Sequence, residues 1–124
     1  MIFVFGSNLA GRHGAGAAKH AVNMYNAAYG VPEGVQGRAY AIPTKDASLR
    51  TLPLKEIAKY VERFIQFAEG TEEVFRVTRI GCGLAGYSDK DIAPMFLNAP
   101  LNCHFDEAWK PFLGDSFEYW GHVA

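Results

Sequence analysis

The apolar run Met1-Ile2-Phe3-Val4-Phe5 stops at Gly6-Ser7-Asn8, and the stretch from Phe5 to His20, FGSNLAGRHGAGAAKH, then passes with four glycines and almost no bulky side chain. A short run without polar alternation belongs to a strand buried on both faces, the habit of parallel sheets covered by helices. From about Ala15 to Tyr29 the residues Ala17, Ala18, Ala21, Val22, Tyr25 and Ala28 recur at helical spacing, and Gly30 with Pro32 supplies a stop. Strand, glycine-rich turn and helix, in that order, point to an α/β fold.

The pattern then repeats. Gly34 to Gly37 reads as a loop and Arg38 to Thr44 (RAYAIPT) as a second strand, which Pro43 must end or place at an edge. After a loop from Lys45 to Leu52, Pro53 suits a first helical position, and Leu54, Ile57, Ala58, Val61, Phe64, Ile65 and Ala68 mark one face of a helix ending near Gly70. Glu73 to Ile80 is a third strand, with Val74, Arg76 and Thr78 on one side and Phe75, Val77 and Arg79 on the other. It runs into a second glycine-rich turn, GCGLAGY. Ser88 or Asp89 caps a short helix through Leu97, and Leu101 to Phe105 is a fourth, weaker strand. The tail from Asp106 to Ala124 carries Trp109, Phe112, Phe117, Tyr119 and Trp120, and so much aromatic surface is expected to pack on the body or on a neighbouring subunit. Alternating strands and helices imply right-handed crossovers and a mostly parallel sheet.

Composition narrows the function. With 124 residues and 49% apolar side chains the chain fills one core, not two domains. Its 12 basic and 13 acidic residues nearly cancel, so no long-range field favours a nucleic acid or an anionic membrane, and neither is expected as a partner. Cys82 and Cys103, in a chain without a signal-peptide pattern, point to reduced thiols in the cytoplasm. His13, His20, His104 and His122 lack metal-ligand spacing, so no metal and no cofactor is expected.

In a parallel sheet ligands sit outside the carboxyl ends of the strands, and both glycine-rich loops, Gly6 to Gly16 and Gly81 to Gly86, follow strands at that edge. Glycine lets backbone N–H groups converge on one point, and the helix that starts after Gly14 or Gly16 adds its positive dipole end. A phosphate or diphosphate suits such a place, with Arg12 and His13 beside it. Neither loop is a P-loop, because no G-K-[ST] closes it, and GRHGAG spaces its glycines as G-x-x-G-x-G rather than as the dinucleotide-binding pattern.

The set GAGAAKHA opening a helix, YAIPTK on the next strand and RIGCGLAGY after the third resembles the macrodomain family, in particular the branch that removes terminal ADP-ribose from proteins. RIGCGL, Arg79 to Leu84, is the most specific part, and the likeness runs from Met1 to Phe105 with order and spacing kept. The resemblance implies a macrodomain-like three-layer sandwich and a pocket for ADP-ribose or a related nucleotide. Gly14, Ala15 and Gly16 would face Gly81, Cys82, Gly83, Leu84, Ala85 and Gly86 across the diphosphate and distal ribose. Asn8 would lie near that ribose with Tyr87 packed over it, and Ser7 and Thr44 complete the expected ligand-binding set.

The chain departs from that branch where the chemistry lies. The family's attacking lysine falls on Thr44, with Lys45 one residue later and, in a strand, on the opposite face. The position of the resolving aspartate is Ala85, which can act neither as acid nor as nucleophile. Lys45, Asp46 and Asp89 are the remaining catalytic candidates; loop acids of this kind are more often solvated or capping. Cys82 suits a tight loop better than a nucleophile's role, and Arg79 either holds a phosphate or pairs with Asp89 or Asp91. The strands that precede the asparagine-bearing one in macrodomains have no counterpart, so the adenine contact is unassigned, and the tail aromatics or a neighbouring subunit could fill that sheet edge. Three readings follow: ADP-ribose binding, hydrolysis of an ADP-ribose linkage or phosphate, and a homo-oligomeric interaction protein with an unused pocket.

Overall fold

β1 (Ile2–Asn8) lies inside a six-stranded sheet and runs three residues beyond the apolar stretch that announced it. The computed structural model describes residues 1–122, so the last two positions of the aromatic tail lie outside the described residues. The sheet order is β2-β3-β1-β4-β5-β6, with β2 (Gly34–Gln36), β3 (Ala39–Lys45), β4 (Phe75–Val77), β5 (Cys103–Asp106) and β6 (Tyr119–Gly121). Every neighbouring pair is parallel except β2 with β3. The fold is therefore mixed α/β with a mostly parallel sheet.

Two of the six strands escape the sequence pattern. Gly34–Gln36 forms a strand rather than a loop, because Gly37 (φ 59°) lets the chain reverse within two residues and pair Gln36 with Ala39. β2 flanks β3 only as far as Ala41, so Pro43 lies beyond the paired stretch on that side and its missing N–H breaks no β2 bond. β6 comes from the tail and pairs in parallel with β5. The third strand is shorter than Glu73 to Ile80, since Thr78 sends both its N–H (3.1 Å) and its Oγ1 (2.6 Å) to the carbonyl of Val4 and turns the chain toward the second glycine loop.

Helices cover both faces. α1 (Gly16–Tyr25) ends before the expected Tyr29, because Asn26 adopts a left-handed conformation (φ 59°) that asparagine tolerates. It buries Ala18 and Ala21 against Phe3, Phe5, Ala39 and Ala41. On the other face α2 (Leu54–Glu69) buries Ile57, Val61, Phe64, Ile65 and Ala68 against Ile2, Val4, Tyr40, Ile42, Phe75 and Val77. Each of its larger side chains contributes roughly 1.5–3 kcal/mol on burial. The expected helix through Leu97 divides into α3 (Asp89–Ile92) and a 3₁₀ turn over Ala93–Phe96, with Ser88 as the cap in a reciprocal box with Asp91.

The tail belongs to the body. Trp109 is fully buried, 5.3 Å from the ring of Phe96 and 6.0 Å from that of Phe105, and Phe117 meets Phe105 edge-on at 4.9 Å. A 3₁₀ turn (Glu107–Trp109) and α4 (Lys110–Leu113) then carry the chain to β6, which takes the sheet edge beside β5. Among the described residues no helix is long and apolar enough to cross a membrane.

Candidate functional site

β1, β3 and β4 are parallel, so their carboxyl ends share one sheet edge, and both glycine loops gather there. Between them lies a cleft of about 1040 Å³. Gly14, Ala15 and Gly16 line one wall; Gly81, Cys82, Gly83, Leu84 and Ala85 line the other; Ser7, Asn8, Thr44 and Lys45 lie between. The two loops nearly touch, since a Cβ on Gly16 would stand 3.9 Å from Cδ1 of Leu84.

The first loop is built from the backbone. Gly11 takes φ 70°, donates its N–H to Asn8 O (2.9 Å) and accepts from Gly30 N–H at 2.7 Å. Asn8 closes the turn with its side chain, giving Nδ2–H to Arg12 O (2.8 Å) and accepting Arg12 N–H on Oδ1 (3.0 Å). Ser7 gives its hydroxyl to Pro32 O and Thr44 gives Oγ1–H to Ser7 O (3.2 Å), so these polar groups shape the cleft floor. The loop delivers α1 with Ala15 as its N-cap, without a capping side chain and without an acid in the first turn. Its first N–H groups therefore have neither an intrahelical partner nor a carboxylate from their own turn.

His13, read in the sequence beside Arg12 as a cleft residue, turns inward. It is 2% exposed, and Nε2–H reaches Val31 O (3.0 Å) and Gln36 Oε1 (3.2 Å), both acceptors, which assigns the proton to Nε2. Gln36 also accepts from Ala28 N–H (2.9 Å) and donates to Val31 O (3.0 Å). This buried pair ties the loop to β2 and is an anchor that no pattern in the sequence announces.

The second loop is held by Cys82 N–H to Arg79 O (3.1 Å), Gly86 N–H to Gly83 O (3.0 Å) and Tyr87 N–H to Gly81 O (2.9 Å). Tyr87 points away from the cleft and donates its hydroxyl to Leu52 O at 2.8 Å; Gly86 (φ 88°) also lies outside the lining and serves the turn. Arg79 chooses Asp89, in a two-pronged bridge of 2.7 Å on each side, while Trp109 Nε1–H adds a third bond to Asp89 at 2.8 Å. Burial works to raise the Asp89 pKa, but the hydrogen bonds from Arg79 and Trp109 and the guanidinium charge outweigh it and hold the carboxyl below its usual range.

That balance has a pH signature. A carboxyl depressed in the folded state adds stability above its unfolded pKa of about 4, and loses it as pH falls through the lower folded value. Thermal melts should show the wild type losing stability below about pH 4 more steeply than Asp89→Asn. Parallel acid limbs would contradict the assignment.

Asp46 is similarly occupied, accepting Ser48 N–H (2.8 Å) and Arg50 N–H (2.9 Å) on Oδ1, and it lies outside the lining. Asp46 and Asp89 are therefore not brought together with Lys45 across the cleft. β3 continues through Lys45 instead of ending at Pro43, yet Lys45 and Thr44 both border the cleft, because it opens at the strand's end. The Cys82 thiol is pushed up to about 12, first by burial and then by the charge of the neighbouring Asp89. Its thiolate is scarce at neutral pH, so alkylation by iodoacetamide at pH 8 should run at least about 100-fold slower than for free cysteine. An ordinary cysteine rate would restore it as a nucleophile.

Charge distinguishes the cleft from the rest of a nearly neutral chain. Arg12, Lys45 and Arg76 line it, with Arg79 already bridged to Asp89, against one lining acid, Asp106, which is fully buried and accepts Ala108 N–H (2.8 Å) and bonds His122 Nδ1 (2.8 Å). Arg76, Asp106 and Trp120 were missed as site residues; the third strand's alternation set Arg76 and Thr78 on one side without showing that this side meets the cleft, and nothing in the tail marked Trp120. Among the described residues no group of three or more His, Cys, Asp or Glu side chains gathers as a metal site would need. Comparison with models of known protein families, with curated proteins and with solved structures finds no match.

Proposed function

We propose that this chain is a macrodomain-like protein that binds ADP-ribose or a closely related nucleotide between its two glycine loops. The observation that carries the reading is the pairing of an uncapped helix N-terminus with a facing glycine loop across a cation-rich cleft. Converging backbone N–H groups and cations favour a multiply charged anion, and the open space where Gly14 and Gly83 lack side chains leaves room for it to approach the backbone. RIGCGL in the second loop supports ADP-ribose among such anions.

Binding is favoured over hydrolysis. Ala85 stands where the family branch has its aspartate, and the acids that could replace it, Asp46 and Asp89, are committed to the loop and to Arg79. The aromatic tail likewise turns Trp109 and Phe117 into the chain's own core rather than offering them to a second copy. Calorimetry with ADP-ribose, its 1''-phosphate and its cyclic variants tests the reading. Saturable binding of one of them is expected; heat changes absent for all at millimolar concentration would end it.

A further inference from the structure

α1 packs over β1 and β3, whereas on the same side of the sheet β4 and β6 carry Arg76 and Trp120, which line the far part of the cleft. The cleft therefore crosses from Lys45 on β3 to Trp120 on β6, four strand steps at about 4.8 Å, or roughly 19 Å. A diphosphate held between the glycine loops spans only part of that width.

The β6 end is suited to a flat, apolar group. Trp120 is partly exposed, and its only polar atom, Nε1–H, is already bonded to Val77 O at 2.9 Å, so the indole is fixed in orientation and offers its ring as the contact surface. Arg76 lays its guanidinium over one face of that ring, 5.2 Å from the centroid, so the surfaces left for a ligand are the outer guanidinium plane and the opposite indole face. A guanidinium stacked on an aromatic ring is a platform on which a heteroaromatic base can continue the stack.

We propose that Trp120 and Arg76 form a base-stacking subsite, so that a nucleoside diphosphate sugar lies across the sheet edge with its base at β6 and its terminal ribose toward Asn8 and Lys45. This rests on the nucleotide-binding reading above and assigns the ligand's direction. It also gives the tail a role in recognition, since β6 exists only because the chain continues past β5.

The test combines calorimetry and fluorescence, with ADP-ribose and inorganic diphosphate as probes. Trp120→Ala should weaken ADP-ribose binding by about 10- to 100-fold and leave diphosphate binding unchanged, while Trp120→Phe, which keeps an aromatic plane, stays within about threefold of wild type. ADP-ribose should quench wild-type tryptophan emission and leave Trp120→Phe unaffected, since its remaining Trp109 is buried. Those wild-type and Phe measurements decide the matter even if the Ala variant does not fold. Wild-type affinity for ADP-ribose in Trp120→Ala, or binding without quenching, would overturn the subsite and leave the clasp standing. Binding of neither probe to wild type would overturn the clasp, and the subsite with it.

Discussion

Gly83→Glu is expected to weaken ADP-ribose binding by at least about 100-fold while the melting temperature stays within about 2 °C of wild type. Nothing lies within 4 Å of where a Cβ on Gly83 would stand, and its φ is not in the left-handed region, so the fold accommodates the new side chain. The carboxylate then occupies the wall of the cleft opposite α1, where the diphosphate would lie. Like charges forced together in a desolvated contact cost several kcal/mol, and the side chain also fills space that the ligand needs. Gly83→Ala adds a methyl group without charge and should lose far less. Unchanged affinity in Gly83→Glu would mean that the second loop does not hold the anion.

Gly11→Ala acts on stability instead. A Cβ there would meet the carbonyl carbon of Gly30 at 2.6 Å and its Cα at 2.8 Å, and the backbone sits at φ 70°. Gly30 has little freedom to retreat, because its N–H is bonded to Gly11 O at 2.7 Å. The left-handed conformation costs about 1–2 kcal/mol for alanine and the forced contact about 1–3 kcal/mol, so a loss of about 2–5 kcal/mol is expected. In a chain of this size that lowers the melting temperature by roughly 10 °C or more. Gly14→Ala, three residues on, meets open space and should change stability by less than about 1 kcal/mol. Equal melts for the two variants would show that the first loop does not depend on the Gly11–Gly30 contact.

Much of the scaffold was legible because its signals are long or apolar. The first strand and α2 declare themselves by buried runs and helical spacing, and those two elements with β4 suffice to bring both glycine loops to one edge. β2 and β6 were not legible, since a three-residue strand has no period to read and is specified by its neighbours: Gly37 reverses the chain for one, and the edge of β5 receives the other.

At the site, residue types were easier to read than directions. Arg12 and His13 are adjacent in sequence, but after the turn at Gly11 one lines the cleft and the other is buried against Gln36. Asp89 and Tyr87 follow the second loop closely, yet Arg79 and Leu52 draw them away from the cleft. Trp120 lies 33 residues beyond Tyr87 in the numbering and reaches the cleft only through a strand pairing that no local pattern announces.

The central claim is that both glycine loops contact one ligand at once, and backbone amide NMR during titration with ADP-ribose addresses it directly. The amides of Gly14, Ala15, Gly16 and Ala17 should shift together with those of Gly81, Cys82, Gly83 and Leu84, along a single saturation curve. Shifts confined to one loop, or loops that titrate with different midpoints, would contradict the clasp.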